Sequence, residues 1–147
     1  MIGFRPMVPD DLPRLGTLQE AEAYLGPQLG DAGYAEDLCA VGFAWTGVHG
    51  VRVVACGGVV AQTAWRGYAW MLIGAVPRAA WLAILRKSLD VIRRAHVAGL
   101  RRIAAEVDLM FAAGHRFALM LGFEPEGITR WVGPFDKPFV SYSRYGP

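Results

Sequence analysis

The chain has 147 residues, 54% of them hydrophobic and 19% charged, and a formal net charge of +2. That length fits one domain spanning residues 1–147, and the apolar content excludes a disordered chain. So small a positive charge excludes the strong phosphate-neutralising surface of a nucleic-acid binder.

The opening Phe4-Arg5-Pro6-Met7-Val8 reads as a strand. Pro9-Asp10-Asp11-Leu12 then reads as a helix start with carboxylates near its N-terminal dipole. Between Gln19 and Leu38, Gly26-Pro27, Gly30 and Gly33 break any long helix into short pieces. Residues 41–46 and 51–62, rich in Val, Ala, Phe and Trp, flank Gly47-Val48-His49-Gly50, which predicts a β-hairpin. Gly57-Gly58 in its second arm marks a bulge or the close approach of another backbone. Trp65-Arg66-Gly67 turns the chain into a strand over 68–73, completing an antiparallel meander.

Residues 78–97 form the clearest helix: Trp81, Leu85, Leu89 and Ile92 recur at helical spacing while Arg86, Lys87, Arg93 and Arg94 fall on other faces. The near-continuous apolar run 68–85 approaches the length of a membrane span, but Pro77 and Arg78 interrupt it. A buried strand followed by a core-facing helix start accounts for the same run, so no membrane partner is expected. Gly99 stops the helix, and residues 101–107 suit a strand that closes a βαβ unit, hence parallel pairing with an earlier strand. Asp108 caps a short helix reaching Leu121, with Gly122 at its C′ position and Phe123 packing back just beyond. Residues 128–132 and 139–145 close the chain as two strands. The fold class is therefore α/β of the α+β kind, with a mixed central sheet of about seven strands flanked by helices.

Cys39 and Cys56 lack a close pair spacing, and the start of the chain carries charge at Arg5, so reduced thiols in a cytoplasmic protein are expected. His49, His96 and His115 never approach a metal-ligand spacing with the cysteines, so no metal is expected. Ser88, Ser141 and Ser143 lie outside any Gly-x-Ser-x-Gly elbow, which disfavours a serine hydrolase. Five tryptophans with low charge point to a homodimer, since aromatic residues concentrate in interface cores.

The order strand, helical region, three antiparallel strands, long helix, strand, short helix, two strands resembles the GNAT acyl-CoA N-acyltransferase fold over nearly the whole chain. The ending Leu119-Met120-Leu121-Gly122-Phe123-Glu124-Pro125-Glu126-Gly127 looks like that family's short helix followed by Leu-Gly-Phe and a strand. With His115-Arg116 ahead of it, the segment is similar to small acetyltransferase-like proteins of phages and prophages, some of which serve as virion or assembly components. The resemblance implies acetyl-CoA as cosubstrate, an amine acceptor, and virion proteins as the alternative partners.

It also implies where the site residues lie. A CoA pyrophosphate would meet backbone amides at the long helix's start, where unpaired donors and the helix dipole favour an anion. The family pattern Arg/Gln-x-x-Gly-x-Gly/Ala falls here on Arg78-Ala79-Ala80-Trp81-Leu82-Ala83, with Arg78, Ala79 and Ala80 as phosphate partners and Trp81 in a glycine's place. Backbone of Met71, Leu72 and Ile73 would hold the pantetheine arm and supply the donor for the developing oxyanion. The family's tyrosine acid aligns with Ala118 and its helix-starting asparagine with Phe111. Glu106 is the candidate base, set against a plain ion pair with a neighbouring arginine.

Overall fold

A computed structural model describes residues 1–15, 32–40 and 42–147. Strands β1 (Ile2–Pro6), β2 (Trp45–His49), β3 (Arg52–Ala61) and β4 (Arg66–Ile73) are joined by β5 (Arg102–Asp108), β6 (Glu124–Thr129) and β7 (Phe139–Tyr145). They form one seven-stranded sheet in the order β1-β2-β3-β4-β5-β7-β6. All neighbours are antiparallel except β4 and β5. Helices α1 (Asp11–Arg14) and α2 (Ala32–Cys39) pack on one face. Helices α3 (Trp81–Val97) and α4 (Ala112–Met120) pack on the other.

Alternation along the strands sorts the core into two layers. Ala69 and Met71 of β4, with Ile103, Ala105 and Val107 of β5, face α3 and α4. Tyr68, Trp70 and Leu72 face α1 and α2. Helix α3 buries Ile84, Val91, Ile92 and Ala95, and full burial of an aliphatic side chain stabilises by about 1.5 to 3 kcal/mol. Its charged face behaves as the spacing predicts: Arg86, Arg93 and Arg94 are exposed, and Arg94 pairs with Asp90 at 3.0 Å.

Several local expectations shift. The first hairpin turns at Gly50-Val51 instead of 47–50, because β2 runs on to His49 and the register slips between Gly47 and Val48. Gly57-Gly58 is not a bulge: its pairing with β4 is continuous. The close approach is real, since a Cβ on Gly58 would lie 2.8 Å from the Ala44 Cα. Asp108 does not cap α4; it ends β5, accepting from the Met110 amide at 2.9 Å and from Lys137 at 2.8 Å, and Phe111 precedes the helix. Strand β6 begins at Glu124, four residues before the predicted start. Gly33 lies within α2 and does not break it. The predicted breaks at Gly26-Pro27 and Gly30, and the first residue of the predicted strand 41–46, lie outside the described residues.

The end of α4 matches its sequence signal closely. Gly122 has φ +86, its amide donates to the Leu119 carbonyl, and the Phe123 amide donates to Ala118, the paired bonds of a Schellman ending. Asp11, read as a helix-dipole carboxylate, is instead fully buried. It accepts from Arg5 twice at 2.6 Å, from the Val8 amide at 2.9 Å and from the Thr46 hydroxyl at 2.9 Å. Burial alone would push this carboxyl up, but the Arg5 guanidinium and the other donors hold it below the usual carboxylate range. The apolar run 68–85 divides into β4, a connection and the start of α3, and no helix among the described residues is long and apolar enough to cross a membrane.

Candidate functional site

The one parallel pair in the sheet comes apart. Strands β4 and β5 pair at Arg66↔Arg102, Gly67↔Ile103 and Tyr68↔Ala104 and no further. Yet β4 stays bonded to β3 as far as Ile73, and β5 to β7 as far as Asp108. Each strand is thus held on its outer edge while the inner edges diverge. Five residues of β4, 69–73, run beyond the last pair, roughly 16 Å of strand at 3.3 Å per residue. Backbone groups along that inner edge face a gap instead of a neighbouring strand.

The gap opens into a cavity of about 610 Å³ bounded by β4, β5, α3 and α4, within the range of pockets that enclose small ligands. Met71, Leu72, Ile73, Arg78, Trp81 and Glu106 all line it. Ala79 and Ala80 lie in the 3-10 turn Arg78–Ala80 that leads into α3, where Ala79 is exposed and Ala80 buried. The Ala80 amide donates to the Pro77 carbonyl at 2.9 Å and the Trp81 amide to Arg78. This corrects the reading that paired Ala79 with Ala80: the amides ahead of the first turn are those of Arg78 and Ala79. The Trp81 ring meets Phe117 of α4 edge to face, centroids 5.9 Å apart.

Glu106 stands two residues beyond the last parallel pair, half-buried, with one carboxylate oxygen accepting from Thr129 at 3.0 Å and from Ser141 at 2.9 Å. Hydroxyls, not an arginine, hold it, so among the described residues the expected ion pair is absent. Its second oxygen is the one left for another partner. Thr129 and Ser141 escaped the sequence reading because only the order β5-β7-β6 places Ser141 opposite Glu106.

Asp108 also borders the cavity; burial raises its carboxyl, but Lys137 and the Met110 amide bring it below its ordinary range. Arg116 and Ser88 are further lining residues that the sequence reading passed over as ligands. Ser88 had a signal, being the polar residue seven positions from Trp81 on the same helical stripe. Arg86, Lys87, Arg93 and Arg94 stand away from the cavity lining. The electrostatics are therefore polarised: exposed Arg78 and Arg116 on the helix side, carboxylates of Glu106 and Asp108 on the opposite face of the sheet.

His115 is not a free surface histidine. Its Nε2 lies 3.0 Å from the Leu109 carbonyl, which only accepts, so Nε2 carries the proton and Nδ1 accepts from the Tyr142 hydroxyl at 2.8 Å. One ring nitrogen ties α4 to β7 and the other to the turn that follows β5. His96 donates from Nδ1 to the Leu100 carbonyl at 2.6 Å, and His49 ends β2 instead of sitting in the turn. Phe111 and Ala118, in the places of the asparagine and the tyrosine acid, both border the cavity, and Ala118 is only 6% exposed.

No family model and no curated protein sequence matches the chain. Its fold does match solved structures. An N-acetyltransferase from Staphylococcus aureus Mu50 superposes with a TM-score of 0.74 at 13% identity, covering 99% of this chain and 98% of the other. Ard1 from Thermoplasma volcanium gives the same four figures. The yncA protein from Salmonella typhimurium, solved with its cofactor acetyl-CoA, gives a TM-score of 0.70 at 12% identity over 98% of this chain and 93% of that one. The architecture is that of the GNAT acyl-CoA N-acyltransferase fold.

Proposed function

We propose that the protein is an acyl-CoA-dependent N-acyltransferase that moves an acyl group, acetyl in the simplest case, to a primary amine by direct attack. The observation that carries this reading is the parted β4–β5 pair, whose gap is continuous with a cavity reaching the start of α3. The residues present suit the cosubstrate. The amides of Arg78 and Ala79, the Arg78 side chain and the positive end of α3 attract the pyrophosphate. The free inner edge of 69–73 offers backbone donors and acceptors to the amides of the pantetheine arm and to the thioester oxygen.

The amine enters from the carboxylate side. Glu106, held by Thr129 and Ser141, takes up the amine's proton through its free oxygen, directly or by way of a water, as the nitrogen bonds to the acyl carbon and the carbon–sulfur bond breaks. A second reading, a protein that binds CoA thioesters without turning them over and acts as an assembly component, is favoured by one observation: Ala118 presents no hydroxyl to the departing thiolate. The homodimer expected from five tryptophans now rests on two, Trp65 and Trp131, because Trp45 and Trp70 are buried and Trp81 faces the cavity.

Calorimetric titration with acetyl-CoA tests the reading. Micromolar affinity lost in Arg78→Glu is the expected result, and no heat at millimolar ligand refutes it. Thiol release in the presence of a panel of amines then separates the two: turnover that falls about 100-fold or more in Glu106→Gln supports the enzyme, and tight binding with no thiol release supports the second reading.

A further inference from the structure

Where the strands part, the next residues inward on each are alanines, Ala69 and Ala105, and Ala118 of α4 faces the same space. Behind them the cavity wall is made by side chains of the hydrophobic core itself: Trp45, Val59, Ile92, Leu121 and Phe123, all at most 8% exposed. The bulky groups stand at the outer end instead, where Trp81 meets Phe117, and Leu82, 55% exposed, forms an apolar lip. A chamber opening between the helices and penetrating to Trp45 is lined mainly by apolar side chains, with the buried Ser88 among them. Its carboxylates, Glu106 and Asp108, lie on the other face of the sheet.

From these observations we infer that the inner chamber between Ala69, Ala105 and Ala118 is a pocket for a medium-length acyl chain, so that the preferred donor is a thioester longer than acetyl. The inference rests on the proposed function, which orients the ligand: with the pyrophosphate at Arg78 and the arm along β4, the acyl group is the part that reaches deepest. A straight hydrocarbon finds there a largely apolar environment, with the buried Ser88 hydroxyl of α3 as a polar neighbour. Each methylene buried contributes about 0.8 kcal/mol, close to a fourfold gain in affinity. The three alanines are the specificity-determining positions, because any larger side chain on them occupies the space the chain would take.

Dissociation constants of acetyl-CoA and octanoyl-CoA, measured by calorimetry on the wild-type chain below micellar concentration, read the pocket directly. Octanoyl-CoA is expected to bind at least tenfold more tightly. In Ala118→Leu, and separately in Ala105→Leu, that ratio is expected to fall toward one. The wild-type ratio decides the matter even where a variant fails to fold. Equal affinities for the two thioesters overturn the acyl pocket while leaving the proposed function standing, and so does a ratio that survives in both leucine variants. Failure of both thioesters to bind overturns the proposed function and this inference together.

Discussion

Removal of the Arg5 guanidinium tests whether the buried carboxylate of Asp11 holds the first strand and helix onto the sheet. Asp11 is fully buried, whereas the Arg5 side chain is 40% exposed. The two partners therefore fail differently. In Arg5→Ala the carboxylate stays where it is with only the Val8 amide and the Thr46 hydroxyl for compensation, and an uncompensated buried charge costs about 3 to 5 kcal/mol. Water admitted through the exposed Arg5 position brings the expectation to the lower figure, about 3 kcal/mol. In Asp11→Ala the freed guanidinium reaches solvent, and the chief cost is the Thr46 hydroxyl, left with only the Cys56 sulfur at 3.7 Å, so about 2 kcal/mol is expected. The double variant is then less damaging than the sum, with a coupling of about 1.5 kcal/mol or more in a double-mutant cycle of urea unfolding at constant m-value. A coupling below about 0.5 kcal/mol, the scale of an exposed ion pair, refutes the reasoning. The sign with pH follows from the lowered carboxyl. Its stabilisation is complete above the ordinary value of 3.8 and is lost as pH falls through the lower folded-state value. The gap between wild type and Asp11→Ala therefore closes under acid, not under alkali.

Three further outcomes are expected. Burial pushes the Cys56 thiol up to about 12, so at pH 8 only about one molecule in ten thousand carries the thiolate. A thiol reagent should label Cys56 only on unfolding, and rapid stoichiometric labelling of both cysteines in the native protein would contradict the burial. Gly122→Ala forces an L side chain into φ +86 at the C′ position, with its Cβ 3.4 Å from the Arg144 Nε, and should cost about 1 kcal/mol or more in urea unfolding; no change in midpoint would contradict the Schellman ending. Gly58→Ala puts a methyl 2.8 Å from backbone atoms of Phe43 and Ala44, which cannot yield as a flexible side chain does, and a loss of about 1 to 3 kcal/mol is expected; a variant as stable as wild type would mean that β3 and the 43–44 segment are not in contact.

What the sequence made legible is what local chemistry specifies. The long helix and the Gly122-Phe123 ending each depend on residues within a few positions of one another, and both are present in the fold. The fully buried side of α3 nevertheless runs through Ile84, Val91, Ile92 and Ala95, with Trp81, Leu85 and Leu89 half-buried beside it. The parallel return of 101–107 follows from the helix that carries the chain back across the sheet. The surroundings of Asp11, Glu106 and His115 differ from those their own neighbourhoods suggest, because each has a hydrogen-bond partner far along the chain. Asp11 is completed by Thr46, 35 positions away, and Glu106 by Ser141, also 35 away. His115 is completed by Tyr142, 27 away. A buried polar group requires partners, but which residues supply them is a property of strand order, and β7 lying between β5 and β6 cannot be read from spacing.

Trp81 shows how a departure from a pattern can be relocated once geometry is known. By sequence it stands where a glycine would let phosphate approach the backbone, and the natural conclusion is obstruction. In the fold its amide is already bonded to Arg78 within the 3-10 turn, so the amides left ahead of the helix are those of Arg78 and Ala79, and the indole is turned toward Phe117. The bulk therefore bears on the space between α3 and α4 instead of on the backbone at the start of α3. Ala118, the other departure, acts in the opposite sense: it removes bulk from the inner end of the same cavity. Taken together, the two changes transfer volume from the outer part of the site to its interior. A lost acid alone would leave Trp81 without a reason, and a crowded helix start alone would leave Ala118 without one; the proposed chamber for a longer apolar group would account for both.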